Sequence, residues 1–414
     1  MRKKDTVCYN TMPDGLRCVH IHMPGAPVGY FGVAIHAGSR DEVIAAGEAG
    51  LAHFVEHTIF KGTEKRSSWH IINRMESVGG ELNAFTTKED TVVYTAFARG
   101  NLGRAMELVA DLICHSRFPD NEIEREREVV ADEIASYLDQ PSEAVFDDFE
   151  DLVFEGTSLG HNILGTKETV ARFTGADCRD WIRRHYLPQR MTAFYAGATS
   201  SDSFFRMSEK YLSGISAASA PVTEKKQIIP ARRFDVRRSI ESHQDHVVMG
   251  VVLPAMDMRQ RAVAALVTNI LGGPGMNSLL NVVLRERRGL VYNVEASTTM
   301  FTDCGEFTVY FGCDPQDTVR CRNLVSRQIA GLAEHCMTER RLAAAKKQYL
   351  GQMTIADDNR ENRAIAIARA TLLRGRALTP EELIDCIRSV SAEDIRRMSE
   401  VLTDLSTLVL GPAS

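Results

Sequence analysis

Residues 53–57 read His53-Phe54-Val55-Glu56-His57 and place two imidazoles and one carboxylate on one side of a predicted helix. His53 and His57 are one helical turn apart, so their ring nitrogens can converge on a single ion. The Cβ of Glu56 is about 60° around the helix from that of His53, within reach of a metal-bound water. Neutral imidazoles suit zinc, and a carboxylate beside the water suits a general base. The stretch predicts a zinc site in the order His-x-x-Glu-His, the inverse of the commoner zinc-protease order.

The sequence around this motif is apolar, and its neighbours include Leu51, Ala52, Phe54, Val55, Ile59 and Phe60. Two histidines and a glutamate inside an apolar helix are costly to bury unless they have partners. A bound metal ion would supply a partner for all three, which favours a metal site over a chance match to the pattern.

A third protein ligand is needed, because a catalytic zinc takes three and keeps its fourth position for water. Residues 119–140 form a second helical pattern that contains Glu126 and Glu133. These two glutamates are seven residues apart, so they lie within about 20° of each other around the helix. Both lie beside apolar positions that we expect to be buried, so we expect both on the core-facing stripe of this helix. One can be a ligand and the other can support a ligand, and spacing alone leaves open which is which.

The motif and its flanks resemble the signature of a known family. Residues 50–57 followed by Phe60-Lys61-Gly62-Thr63 are similar to the inverted-motif zinc peptidases of the pitrilysin family, in their short two-domain bacterial form. In that family the third ligand is a glutamate that here corresponds to Glu133, and a further helical glutamate corresponds to Glu126. The resemblance implies one Zn²⁺ per chain bound by His53, His57 and Glu133, with Glu56 as catalytic base and Glu126 in a supporting role.

Residues 79–86, Gly-Gly-Glu-Leu-Asn-Ala-Phe-Thr, resemble the substrate-binding edge strand of the same family. The resemblance implies Asn83, Ala84 and Phe85 as substrate-binding residues. On its own the stretch predicts only a strand that enters a hairpin after two glycines. An open edge of that kind can accept a peptide as an added strand.

Residues 284–292 resemble a second family feature, an Arg/Tyr pair seven residues apart. The pair corresponds to Arg285 and Tyr292, which the resemblance implies are catalytic. In the family these residues reach the zinc site from another domain and contact substrate or stabilise the oxyanion. Without the resemblance, Arg285 is one member of a basic cluster of the kind usually found on a solvated surface.

Length and composition set bounds on the protein class. The 414 residues suit two domains of roughly 200 residues. A hydrophobic share of 44% and a charged share of 25% are typical of a globular protein, and a net charge of −6 gives no support for nucleic-acid binding. The sequence has no apolar run long enough to span a bilayer, and its nine cysteines contain no Cys-x-x-Cys. We expect no secretory signal, because no apolar segment follows the basic residues at positions 2–4. We therefore expect a cytoplasmic protein without membrane or nucleic-acid partners.

The amino-acid composition changes just past the midpoint of the chain, where a run of small residues is followed by a lysine-rich stretch. This change predicts an interdomain linker at residues 216–230. We expect a zinc-binding catalytic domain at residues 1–215 and a domain without metal, which supplies substrate contacts, at residues 231–414.

The two halves repeat the order strand, helix, strand pair, helix. In the first half these elements are predicted at residues 28–35, 49–60, 80–98 and 103–114, and in the second at 246–253, 260–271, 291–312 and 317–333. The pattern predicts an α+β fold of two similar domains, each a mostly antiparallel sheet packed with helices. Residues 267–271, which correspond to the motif in the second copy, contain no histidine. Only the first copy is therefore expected to bind the metal.

Together with these features, the resemblance implies a zinc endopeptidase that cleaves short or unfolded peptides held as an added strand inside a chamber. Because longer relatives carry four such domains in one chain, we expect this two-domain chain to form a homodimer, or a heterodimer with a related subunit. One alternative is a non-catalytic, structural or peptide-binding subunit of the same family, although such members typically lose motif residues and this chain keeps them. A hydrolase of non-peptide substrates is a third possibility, with no residue beyond the metal site in its favour.

Overall fold

A computed structural model describes residues 5–215 and 233–413, so the expected linker at residues 216–230 lies outside the described residues. The strands in these ranges are β1 (Thr6–Thr11), β2 (Arg17–His22), β3 (Val28–Ile35), β4 (Glu81–Thr86), β5 (Thr91–Ala98), β6 (Met191–Gly197), β7 (Asp235–Ser239), β8 (Asp245–Pro254), β9 (Val291–Met300), β10 (Cys304–Cys313) and β11 (Ser406–Gly411). The helices are α1 (Leu51–Thr58), α2 (Ser68–Glu76), α3 (Leu102–His115), α4 (Asp120–Leu138), α5 (Pro141–Val153), α6 (Lys167–Val170), α7 (Gly175–His185), α8 (Ser201–Leu212), α9 (Met258–Gly272), α10 (Thr318–Glu334), α11 (Glu339–Ala356), α12 (Arg360–Arg374), α13 (Pro380–Ser389) and α14 (Ala392–Val401). None of the helices in these ranges is both long and apolar enough to cross a membrane.

The first sheet has the strand order β1-β2-β6-β3-β5-β4, and only the β2–β6 pair is parallel. All seven residues of β6 are buried, because the strand lies inside the sheet and both sheet faces are covered. One face packs on a core that includes Phe54 of α1 and Trp181 of α7. The other face packs on α12 through Ala364, Ala368 and Leu372. The strand β4 is left at the open edge.

The second sheet has the strand order β7-β11-β8-β10-β9, and only the β7–β11 pair is parallel. Its strands correspond one by one to β2-β6-β3-β5-β4 of the first sheet, with the same pairing senses. The helices α9, α10 and α14 contribute to the core on one face, while Val145, Phe149 and Val153 of α5 pack on the other. This correspondence confirms the predicted α+β fold and the internal repeat.

The chain forms two compact units that exchange helices. Among the described residues, the first unit comprises 5–135, 161–215 and 357–377, and the second comprises 136–160, 233–356 and 378–413. The helix α5 therefore belongs to the second unit, although it precedes the expected linker, and α12 belongs to the first, although it follows it. Each helix lies where its apolar stripe is buried against a sheet face. The boundary at residues 216–230 stays a prediction.

Candidate metal centre

The helix α1 is held at its N-terminus by a buried carboxylate. The two oxygens of Glu42 accept hydrogen bonds from the backbone N–H of Gly50 at 3.0 Å and of Ala52 at 2.8 Å. The Nε2 atom of His161 lies 3.0 Å from Glu42 Oε2. A carboxylate at this position satisfies unpaired N–H groups of the first turn and complements the helix dipole. Glu42 was not singled out from the sequence, because no spacing rule links a loop glutamate to a helix that begins nine residues later.

The structure brings His53, His57 and Glu133 together. The Nε2 atom of His57 lies 3.2 Å from Glu133 Oε2, and the Nε2 atom of His53 lies 3.8 Å from Glu133 Oε1. One potential ligand atom from each residue lies within 4.8 Å of the others. In the part of the chain that the structure describes, this is the only group of three or more such side chains with metal-binding geometry.

Glu126 lies on the opposite side of His57. Its Oε1 atom is 3.0 Å from His57 Nδ1, and its Oε2 atom is 2.6 Å from the ammonium of Lys61. The contact with Nδ1 leaves the Nε2 atom of His57 directed at Glu133 and His53. Of the two glutamates that spacing could not distinguish, Glu133 faces both histidines and Glu126 supports the ring of one.

The two glutamates differ in burial. The side chain of Glu126 is 7% exposed, whereas that of Glu133 is 43% exposed. The expectation that both lie on the buried stripe of α4 is therefore wrong for Glu133. The buried positions of this helix are Ile123, Glu126, Val130 and Ile134, and Glu133 lies at the margin of that stripe. A ligand at the margin suits a catalytic site, because water and substrate must reach the ion from the open side.

Burial and neighbouring charges set the protonation of the two histidines. Burial, together with the neighbouring His57, lowers the pKa of His53 to about 3, so this ring is neutral at pH 7 and keeps a lone pair for a metal. Burial also acts to lower the pKa of His57, but the hydrogen bond with Glu126 and the charges of Glu133 and Glu56 outweigh it and raise the pKa. The surroundings of His57 therefore favour a positive charge at this position.

Burial and neighbouring groups also shift the pKa values of Glu56 and Glu126. Burial raises the pKa of Glu56, partly offset by hydrogen bonds from the hydroxyl and backbone N–H of Thr86. Burial would raise the pKa of Glu126 as well, but the contacts with His57 and Lys61 hold that pKa below its usual range.

The residues present fit a zinc ion. Two imidazole nitrogens and one carboxylate are a common ligand set for catalytic zinc. The Oε2 atom of Glu56 is buried and has no hydrogen-bond partner in the described ranges, and the same is true of His53 Nδ1. A buried carboxylate oxygen without a donor is an acceptor available to a water molecule at the site.

The expected substrate strand is β4, and its side chains alternate between the two faces of the first sheet. Leu82 and Ala84 pack toward the core that contains α1, whereas Phe85 packs on the α12 side of the sheet. Asn83 lies opposite Tyr94 and shares the face of Phe85. The backbone N–H of Thr87 donates to the carbonyl of Asp90 at 2.8 Å. Because antiparallel pairing alternates, the main-chain groups of Leu82, Ala84 and Thr86 point to the open edge.

Arg285 and Tyr292 lie in the second unit. Arg285 is exposed and lies in a π-helical turn, Asn281–Glu286, and such turns are frequent at functional sites. Tyr292, near the start of β9, is 84% exposed. Their participation at the metal centre stays a prediction.

The sequence matches known protein families over most of its length. The model of the insulinase peptidase family M16 matches residues 17–167, and the model of the M16 inactive domain matches residues 172–349. An uncharacterized zinc protease of Streptomyces coelicolor is 32% identical over 417 residues, which cover 98% of this chain and 90% of the relative. The chain belongs to the M16, or pitrilysin, family.

A further sequence relative and two solved structures are similar to this chain over nearly its whole length. The uncharacterized zinc protease YmxG of Bacillus subtilis is 29% identical over 407 residues, covering 97% of this chain and 98% of the relative. The crystal structure of a peptidase M16 inactive domain from Pseudomonas fluorescens has a TM-score of 0.89 at 16% identity, covering 99% of this chain and 98% of that one. A protease from Helicobacter pylori has a TM-score of 0.87 at 19% identity, covering 99% and 100%. The structural matches show the shared fold, and the names of the sequence relatives imply a zinc cofactor.

Proposed function

We propose that this M16 protein is a zinc-dependent endopeptidase that cleaves short or unfolded peptides. The observation that carries the proposal is the convergence of His53, His57 and Glu133, whose potential ligand atoms lie within 4.8 Å of one another. The buried, unpartnered carboxylate oxygen of Glu56 lies on the same helix as the two histidines. The relatives that are named zinc proteases support the same class of reaction.

His53 and His57 would hold the ion through their Nε2 atoms, and Glu133 through its carboxylate. A bound zinc supplies Lewis-acid chemistry, lowering the pKa of a coordinated water and polarising a peptide carbonyl. Glu56 accepts the proton of the attacking water at Oε2 and later delivers it to the leaving amine. Thr86 holds the carboxylate of Glu56 in place through its hydroxyl and backbone N–H. The burial that raises the pKa of Glu56 brings its basicity closer to that needed near neutral pH.

The substrate would extend the first sheet by pairing with β4. This strand is at the sheet edge, and the main-chain groups of Leu82 and Ala84 point away from β5. A peptide bound in this way is recognised through its backbone, so it must be extended and unfolded. The hydrogen bonds from Thr86, at the end of β4, to Glu56 support this proposal, because they join the substrate edge to the proposed base.

The test is Glu56→Gln, compared with the wild type and with Glu64→Gln, a change at an exposed position of the following loop. Cleavage of a peptide mixture is followed by mass spectrometry, and zinc content is measured on the same samples. Gln is nearly isosteric but cannot accept the proton, so activity should fall by at least about 10²-fold while zinc stays bound. Near wild-type turnover by Glu56→Gln would exclude the base assignment. A wild type that binds zinc stoichiometrically but cleaves no peptide would favour the non-catalytic subunit.

A further inference from the structure

We propose that Lys61 is a positioning residue of the metal centre, acting on zinc affinity through Glu126 and the ring of His57. This inference rests on the proposed zinc site. The Lys61 ammonium lies 2.6 Å from Glu126 Oε2, and Glu126 Oε1 lies 3.0 Å from His57 Nδ1. Both carboxylate oxygens are therefore used, one for the lysine and one for the imidazole. With its two oxygens fixed, the carboxylate cannot turn its plane away from His57.

The backbone on both sides of Lys61 is anchored. The N–H of Lys61 donates to the carbonyl of Thr58, the last residue of α1, at 3.0 Å. The next two residues form isolated β-bridges, Gly62 with Ser67 and Thr63 with Ser116. Lys61 is thus attached directly to the end of the helix that carries both histidines, while its side chain contacts Glu126 on α4. It joins the two helices that supply the metal ligands.

The formal charges of the centre support the same role. Glu56, Glu126 and Glu133 contribute three negative charges, and Lys61 contributes one positive charge. One divalent cation would balance the remaining two negative charges. Without Lys61, the nearly buried carboxylate of Glu126 would keep only the imidazole as partner, and removing one partner of a buried charge is costly.

The experiment is a double-mutant cycle on zinc affinity, measured by competition with a chromogenic chelator. The four proteins are the wild type, Lys61→Met, Glu126→Gln and the double variant. Loss of a group that orients a ligand typically weakens metal binding roughly 10- to 100-fold, and we expect about 10-fold for Lys61→Met. In the Glu126→Gln background, Lys61→Met should change zinc affinity by less than about twofold, because the group through which it acts is gone.

The matched control is Lys65→Met, which removes the same charge from an exposed position four residues later and should leave zinc affinity unchanged. Lys61→Arg keeps the charge and should retain most of the affinity. If Lys61→Met does not fold, Lys61→Gln takes its place in the cycle. Unchanged affinity in Lys61→Met, an equal loss in the Glu126→Gln background, or an equal loss in Lys65→Met would each overturn the proposal. A wild type that binds zinc but cleaves no peptide would refute the endopeptidase while leaving the cycle interpretable.

Discussion

His20 is a fully buried histidine of β2 that lies outside the metal centre. Its ring stacks on Tyr195 with 5.1 Å between centroids, and its Nδ1 atom is 2.8 Å from the hydroxyl of Ser201. Burial, with a further effect from His22, lowers the pKa of His20 to about 4. In the unfolded chain the pKa returns to about 6.5, so below that pH the unfolded state binds a proton that the folded state rejects. The contribution of His20 to stability is therefore lost as the pH falls from 6.5 toward 4.

The corresponding prediction concerns His20→Gln in the metal-free protein. Its urea midpoint should fall less between pH 6.5 and pH 5 than that of the wild type, because one proton-linked loss of up to about 1.4 kcal/mol per pH unit is removed. His243→Gln, at an exposed position, should follow the wild-type pH dependence. Parallel curves for wild type and His20→Gln would show that His20 does not titrate in this way.

The residues of the metal centre were predictable from sequence to different degrees. The positions of His53 and His57 follow from helix periodicity, and the structure brings their Nε2 atoms to the same carboxylate. Helical spacing alone cannot tell whether Glu126 or Glu133 is the metal ligand. It does not show which ring nitrogen of His57 faces each glutamate of α4. Glu42 and Lys61 act through loops, where backbone direction follows no period. The sequence therefore nominated the histidines and both glutamates, including Glu126 beside the ring of His57, whereas Glu42 and Lys61 were identified only in the structure.

At the scale of elements, successive backbone N–H groups of β4 point alternately to the open edge of the sheet and to the neighbouring strand β5. The N–H of Ala84 points to the open edge, whereas those of Asn83 and Phe85 point to β5. Proline at an edge-facing position removes a donor for an incoming strand but keeps the pairing with β5. Ala84→Pro should therefore raise KM for peptides about tenfold or more while leaving the urea midpoint close to that of the wild type.

The matched control for this strand is Phe85→Pro, which removes a donor from the β4–β5 ladder. It should lower the urea midpoint strongly, because an interior ladder position does not tolerate proline. Equal KM values for Ala84→Pro and the wild type would exclude strand addition at this edge. The family resemblance predicted β4 as an edge strand, but it assigned Asn83, Ala84 and Phe85 to the substrate together, without separating the two faces of the strand.

At the scale of the whole molecule, α12 belongs to the first unit although it comes late in the chain, and this predicts how fragments of the protein fold. A fragment of residues 5–215 lacks α12, which covers one face of the first sheet through Ala364, Ala368 and Leu372. We expect this fragment to bind a hydrophobic dye and to unfold without a cooperative transition in urea. The same fragment joined to residues 357–377 by a flexible linker should regain a cooperative transition. Equal cooperativity in the two fragments would show that α12 is dispensable.

The homodimer also stays a prediction, and it can be tested by complementation. Tyr292 is 84% exposed in the single chain and is therefore accessible to a second copy. If the active sites are shared between subunits, then mixing inactive Glu56→Gln with inactive Tyr292→Phe and allowing exchange should restore activity. Each heterodimer would carry one site with both defects and one with neither, giving about half the activity of a wild-type dimer. No recovery after proven exchange would exclude a shared site.

The exchanged helix α12 also affects how the protein folds during synthesis. The zinc helix and its sheet are made early, but one face of that sheet stays uncovered until residue 374 has left the ribosome. At roughly 5–20 residues per second, this interval lasts on the order of ten to thirty seconds after residue 215. During that time Val19, Ile21 and Phe194 lack their packing partners on α12. The nascent chain should therefore depend on chaperones during this interval, and its two units should complete their cores nearly together at the end of synthesis.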